Sequence, residues 1–237
     1  MTSVEYTAKQ VGPVVLHVDT TSANVEVVAD PRVSGWAIEL HTDDENGPAV
    51  KAIREAQFRD EGGEVHLKLN EDTSADRTVS YNGDVVFGDM IQVAGRVIGR
   101  TIVNGQVVSN SGGTFSSGIR VRAMTEPGSS LDVRTTSGDV AAKGINTLRA
   151  NTRSGNVTAE NIKAVQAETR SGNIAAYRVS ADSTLTSRSG DIHVTGSRSA
   201  HVEATTRSGD VTGSGVDLSA SSRSGRVRQV RPAADEW

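Results

Sequence analysis

"TRSGNVTAENIKAVQAETRSGNIAAY", residues 152–177, says T-R-S-G-N followed by Val or Ile twice, with the glycines at Gly155 and Gly172. The shorter phrase S-G-x-[VI] recurs around Gly138, Gly190, Gly209 and Gly225, and the steps between successive glycines are 17, 17, 18, 19 and 16 residues. A period this short and regular is the mark of a solenoid. Each repeat is one coil that cannot bury its own apolar face and must stack on its neighbours.

Registering each repeat on its glycine brings out the core. Seven residues before it stand Leu131, Leu148, Val165, Ser183, Val202 and Leu218; five before stand Val133, Ala150, Ala167, Leu185, Ala204 and Ala220. Two after it stand Val140, Val157, Ile174, Ile192, Val211 and Val227. This spacing has the period of two of a strand with one buried face. Three residues before the glycine comes a hydroxyl column, Thr135, Thr152, Thr169, Ser187, Thr206 and Ser222, on the same inward parity. A buried hydroxyl costs a few kcal/mol, ~2 or more, unless bonded, so the column is expected to bond along itself or to the backbone at a corner. Ser-Gly-Asp/Asn then supplies the bend, with glycine expected at positive φ.

The same register recovers a coil in "VVLHVDTTSANVEV", where Leu16, Val18, Thr20, Ser22, Asn24 and Val25 fall in the columns and Ala23 stands where glycine is expected. The solenoid therefore starts near Val14. Beyond it the period breaks. Strand-like "WAIELHT" from Trp36 is followed by a short helix with Ala49, Ala52, Ile53 and Ala56 on one face and Asp43 to Glu45 suited to its N-terminus. "EVHLKL" from Glu64 reads as a further strand, and Asn82-Gly83 and Asn104-Gly105 signal hairpins in a Gly-rich run. Regular coiling resumes near Gly118.

The fold expected is all-β: a single-stacked β-solenoid of about seven coils with a strand-rich N-terminal cap or insertion containing one short helix. Residues 1–117 hold the first coil, the irregular insertion and the Gly-rich hairpins; 118–231 hold the regular repeats, and 232–237 a tail. Aromatics are only 3% of the chain, so the core is built from Val, Ile, Leu and Ala, which suit a narrow coil.

Net charge is −4, but residues 1–117 carry 9 basic and 17 acidic residues (9 − 17 = −8) and the remainder 16 and 12 (16 − 12 = +4). The chain has no cysteine, which excludes disulfides, thiol nucleophiles and Cys-ligated metals. No signal-like start and no apolar stretch long enough to span a bilayer is present, so no direct membrane insertion and a cytoplasmic location are expected.

One exterior column stands out, two residues before each glycine: Arg153, Arg170, Arg188, Arg207 and Arg223. With coils ~4.8 Å apart, neighbouring guanidiniums repel by only about 0.9 kcal/mol in water, so the column does not by itself require a ligand. As a candidate anion-binding column it suits phosphate or carboxylate polymers. The simpler alternative is a solvated face whose arginines bond Asp191, Asp210, Asn156, Asn173 or carbonyls of the next coil, and it is favoured because no aromatic residues interleave the column. Nucleic acid is disfavoured for the same reason.

Catalytic signals are lacking. His17, His41, His66, His193 and His201 are scattered without metal-ligand spacing, and no nucleophile elbow, P-loop or dinucleotide fingerprint occurs. No catalytic, cofactor or metal residues are expected, and no cofactor. The ends matter more, because a solenoid exposes an unpaired strand edge at each. Arg226, Arg228 and Arg231 mark a basic candidate assembly end facing an acidic N-terminal half. A homo-oligomer or a protein partner is the first expectation, and an anionic polymer on the arginine column the alternative. A monomer whose tail from Pro232 blocks the edge is the competing reading of that end.

"TTSANVEV" near the start, "PGSSLDVRTTSGDV" from Pro127 and the serial "RSGNV" and "RSGDV" coils resemble a bacterial β-strand repeat family known as toastrack, also called putative adhesin. The likeness covers nearly the whole chain. It implies a single-stacked β-solenoid, often found beside membrane segments in envelope-stress systems, and carries no catalytic residues to transfer. The uncapped repeat and the charge asymmetry make a non-enzymatic scaffold that self-associates or docks a protein partner the leading expectation; the alternative is a ligand-sensing or adhesive module whose arginine column meets an anionic polymer or envelope component.

Overall fold

In the computed structural model the described residues are 1–8, 11–71 and 118–230, with the backbone of five short strands between 85 and 110. The chain divides into two compact units: the residues up to Glu71 together with those from Gly118 onward, and Asp72–Ser117.

The first unit opens with β1 (Thr2–Thr7), β2 (Val15–Asp19), β3 (Asn24–Ala29), β4 (Trp36–Thr42), α1 (Pro48–Arg54), β5 (Gln57–Glu61) and β6 (Glu64–Lys68). In the second unit β7 (Val85–Phe87), β10 (Arg100–Val103) and β11 (Gln106–Asn110) form an antiparallel sheet, and β8 (Ile91–Val93) pairs with β9 (Arg96–Ile98). The turn residues Asn82-Gly83 and Asn104-Gly105 lie outside the described residues, although β10 and β11, on either side of the second pair, do pair antiparallel.

From Gly118 the first unit continues through β12 (Ile119–Thr125), β13 (Ser130–Thr135), β14 (Val140–Lys143), β15 (Thr147–Thr152), β16 (Val157–Glu160), β17 (Ala164–Thr169) and β18 (Ile174–Val179). It ends with β19 (Ser183–Ser189), β20 (Ile192–Gly196), β21 (His201–Ser208), β22 (Val211–Ser214), β23 (Asp217–Ser224) and β24 (Val227–Val230).

Two sheets run the length of this unit, in the orders β1-β4-β12-β3-β14-β16-β18-β20-β22-β24 and β23-β21-β19-β17-β15-β13-β2-β6-β5. From β2 and β3 onward each coil gives one strand to each sheet, and every coil-to-coil pairing is parallel. Order in the stack departs from order in the chain at one place. β12 pairs on the far side of β3 and β6 on the far side of β2, so the first coil is an interior layer. Antiparallel β1, β4 and β5 finish that end. The stack makes about six turns, slightly fewer than the seven coils expected from the six glycine repeats and the Ala23 coil.

The predicted columns form the core. Leu131, Leu148, Val165 and Val202 are buried, as are Val133, Ala150, Ala167, Leu185 and Ala204, and Val140, Val157, Ile174, Ile192 and Val211. Ser183 enters the first column because its hydroxyl donates to the Ala181 carbonyl (3.0 Å) and accepts the Val165 N–H (3.0 Å). Val227 departs from the expectation at 48% exposure, since no described coil stacks on β24 to cover it.

The glycines have a different cause from the one expected. Of the six, only Gly209 has positive φ. A Cβ on Gly138 would lie 1.9 Å from the Ala23 carbonyl oxygen, on Gly155 1.9 Å from that of Gly138, and on Gly172 2.0 Å from that of Gly155. Each coil presses its corner onto the carbonyl of the preceding corner, so close approach rather than backbone handedness demands glycine. Ala23 is the exception because the chain leaves the solenoid at Glu71, immediately beneath it. The Glu71 carboxylate fills that corner, accepting the backbone N–H of Ser22 (2.8 Å) and of Ala23 (3.2 Å) and the hydroxyls of Thr20 and Ser22.

The helix also differs in detail. It starts at Pro48 after Gly47 with no acidic residue in its first turn, and buries Ala49, Val50, Ala52 and Ile53. Asp43 instead holds His41 (3.0 Å) and Arg120 (3.5 Å). The His41 hydrogen bond is the main reason its carboxyl sits below the usual range.

Candidate anion-binding face

The arginine column is placed by two ladders at the glycine corner. In the first, hydroxyls reach the backbone of the preceding coil: Ser187 donates to the Gly172 carbonyl (3.1 Å), Thr206 to Gly190 (3.1 Å) and Ser222 to Gly209 (2.8 Å). Thr152 also accepts the N–H of Gly155 (2.9 Å), which closes the turn. The expected hydroxyl ladder therefore runs through the backbone.

In the second ladder, each Asx side chain accepts the backbone N–H at the same position one coil on. Asn24 Oδ1 takes the Asp139 N–H (3.0 Å), Asp139 takes Asn156 (2.8 Å), Asn156 takes Asn173 (3.0 Å), Asn173 takes Asp191 (2.9 Å) and Asp191 takes Asp210 (2.8 Å). The last rung is Asp210 to the N–H of Arg226 (2.8 Å). An Asx is needed only where another coil follows, so arginine closes the series.

These ladders change the reading of the arginines. The Asx groups proposed as their partners are already accepting backbone N–H groups, and none of the five guanidiniums has a hydrogen bond or ion pair among the described residues. Elsewhere arginines do find carboxylates. Arg32 pairs with Asp30 (2.6 Å) and lowers its pKa to about 2, Arg122 pairs with Glu26 (3.5 Å), and Arg178 with Glu160. Glu160 is held below the usual carboxylate range chiefly by its hydrogen bond from Lys143 (3.0 Å).

Arg153, Arg170, Arg188, Arg207 and Arg223 instead line one shallow groove of about 860 Å³. Thr186, Thr205 and Ser221 also line it, with Glu168 as its one acidic residue. At one strand spacing per coil the five charges span roughly 19 Å. A second recess, lined by Arg134 and Arg149 but also by Asp19 and Asp132, shares Asn151 with the groove. Cationic forks in a row can bind successive phosphates or carboxylates by charge-assisted hydrogen bonds.

At the C-terminal end Arg226 and Arg228 lie exposed on or beside β24, while Arg231 and the tail from Pro232 lie outside the described residues. Among the described residues nothing pairs with the outer edge of β23 or β24.

The histidines are less scattered in space than in sequence. His193 packs on Tyr177 (ring centroids 5.5 Å apart), and His201 binds Asp217 (3.0 Å), which raises its pKa. His17 and His66, far apart in the chain, stack at 4.5 Å. The missed signal is that "VLHVD" and "EVHLK" both read apolar-His-apolar, placing both rings on the outer face of neighbouring strands. No described helix is long and apolar enough to cross a membrane.

Comparison with known proteins places these features in a family. No curated protein matches the chain significantly. Among solved structures, a putative adhesin from Bacteroides fragilis is 12% identical, covering 97% of this chain and 96% of that one with a TM-score of 0.49. A putative cell adhesion protein from Clostridium sporogenes is 7% identical, with 98% and 99% covered and a TM-score of 0.39. A putative adhesin from Parabacteroides distasonis is 11% identical, with 97% and 96% covered and a TM-score of 0.33. The sequence model of the Toastrack DUF4097 family matches residues 15–231, nearly the entire solenoid unit and the insertion within it, and the chain belongs to that family.

Proposed function

We propose that this Toastrack chain is a non-enzymatic binding module that holds a linear anionic polymer along Arg153, Arg170, Arg188, Arg207 and Arg223. The observation that carries this reading is the row of five arginines without partners among the described residues, lined up in one groove. Each charge adds little alone in water, but a polymer engages several at once and releases its counterions on binding. The few aromatics favour a flexible phosphate or carboxylate polymer over nucleic-acid bases, which need stacking surfaces.

The test is fluorescence anisotropy with labelled polyphosphate and polyglutamate over a salt series, comparing the native chain with R170Q/R188Q/R207Q. The native chain binds at least one polymer with marked salt dependence, and the triple variant loses at least about tenfold with a shallower salt slope. Equal binding by both chains would reject the arginine column.

A second reading rests on a different observation. The C-terminal end leaves β23 and β24 without described outer partners and exposes Val227 and Val230 at 48% and 43%. Such an edge accepts a strand from a second copy of the chain or from a protein partner.

A further inference from the structure

We infer that His17 and His66, with the Glu64 carboxylate, form a binding site for a divalent transition-metal ion of the zinc class. The parallel pairing of β2 with β6 sets His17 directly opposite His66. Leu16 and Val18, and Val65 and Leu67, are buried on the opposite face, so both imidazoles must project outward. Glu64 precedes His66 by two residues on the same face, its Oε2 3.5 Å from His66 Nε2. One ligand atom from each of His17, Glu64 and His66 lies within 4.8 Å of the other two.

Two features separate this cluster from ordinary surface histidines. The rings are nearly parallel, 7° apart, and their carboxylate contacts are long, 3.8 Å from His17 to Asp132 and 3.5 Å from His66 to Glu64, whereas His41 and His201 each bind an aspartate at 3.0 Å. Across the next strand Asp132 faces His17 in register, with Oδ2 3.8 Å from Nδ1. There it can accept the Nδ1–H while Nε2 binds metal, the usual way an outer carboxylate orients a ligating histidine.

Tetrahedral zinc has bonds of ~2.0–2.2 Å to nitrogen and oxygen, so its ligand atoms stand roughly 3.3 Å apart. The ligand atoms, within 4.8 Å of one another on strands paired in register, would close to that distance by turning the side chains. Arg59, the cation opposite His66 on β5, is held by Glu61, which leaves Glu64 available. Two imidazoles and a carboxylate suit zinc, copper or nickel better than magnesium or calcium.

The test is calorimetric titration of the full chain with Zn²⁺ in a non-chelating buffer, paired with thermal unfolding with and without the ion. One equivalent binds and the melting temperature rises, because the ion ties β2 to β6. H17A and H66A each weaken binding by about tenfold or more and abolish the thermal shift, while H193A behaves as the native chain. H17Q keeps a neutral polar group at the site, and a metal-free melt of each variant separates lost ligation from lost folding. Native-like zinc binding by H17A and H66A, or no binding by the native chain at about tenfold molar excess, would overturn the site.

Discussion

At the scale of single residues, the glycine column shows how one close contact propagates through the molecule. A Cβ on Gly155 would sit 1.9 Å from the Gly138 carbonyl oxygen and 2.9 Å from Thr152 Oγ1. Neither neighbour can yield, since one is backbone held in the parallel ladder and the other accepts the Gly155 N–H. Overpacking of this kind costs about 1–3 kcal/mol, and contact with backbone puts Gly155→Ala at the upper end or beyond. Ala23 gives the internal control, because beneath it lies the Glu71 carboxylate rather than a carbonyl of a preceding corner. Ala23→Gly therefore relieves nothing: it loosens the unfolded chain by about 0.4–1 kcal/mol and removes a fully buried methyl worth about 0.8 kcal/mol. Urea unfolding of both variants checks this asymmetry; a Gly155→Ala chain as stable as the native one would show that the corner can open.

At the scale of the element, the unit is a corner: a hydroxyl, a glycine and an Asx, each bonded to the layer beneath. Asn156 both accepts the Asn173 N–H at 3.0 Å and donates Nδ2 to Asp139 at 3.2 Å. Asn156→Ala removes two side-chain hydrogen bonds at an exposed site where water partly replaces them, so the cost is about 1–2 kcal/mol. Hydrogen exchange localises it: the Asn173 amide exchanges faster in the variant while the Asp210 amide, two rungs on, keeps its native rate. Uniform acceleration along the ladder would mean instead that the corners open together. Much of this was legible in the sequence, because columns such as Val157 and Thr152 repeat with the coil. What was not legible was spatial. Positive φ was the natural expectation for Ser-Gly-Asp, whereas the carbonyl that excludes a side chain belongs to another layer. The Asx groups were offered to the arginines because both are exposed at one turn, yet each turns one oxygen to a backbone N–H of the next coil and none reaches a guanidinium. The His17–His66 pair was hidden by sequence distance, since it depends on β6 re-entering beside β2.

At the scale of the whole molecule, the two ends of the solenoid are finished differently. The N-terminal end carries antiparallel β1, β4 and β5, the buried face of α1 and Glu71 in the open corner, and Asp60 and Glu61 sit on the β5 edge. At the C-terminal end Leu218 and Ala220 are only partly buried, Val227 and Val230 are exposed, and the Asx ladder stops at Arg226. An open apolar edge beside basic residues is a surface for association, and contact between unlike ends would propagate into filaments rather than close into a dimer. Under the second functional reading, light scattering over a concentration series records a mass that grows with protein concentration and falls with added salt, because exposed charges are screened within about 10 Å at 0.1 M. V227K/V230K places charge on the edge, a device that natural sheets use against pairing, and should return the chain to monomer. R226E/R228E should weaken assembly at low salt and have little effect at high salt, which separates the electrostatic part from strand pairing. A monomer under every condition would remove self-association and leave the arginine groove as the binding surface, whereas assembly that survives both double variants would mean that the contact lies elsewhere on the chain.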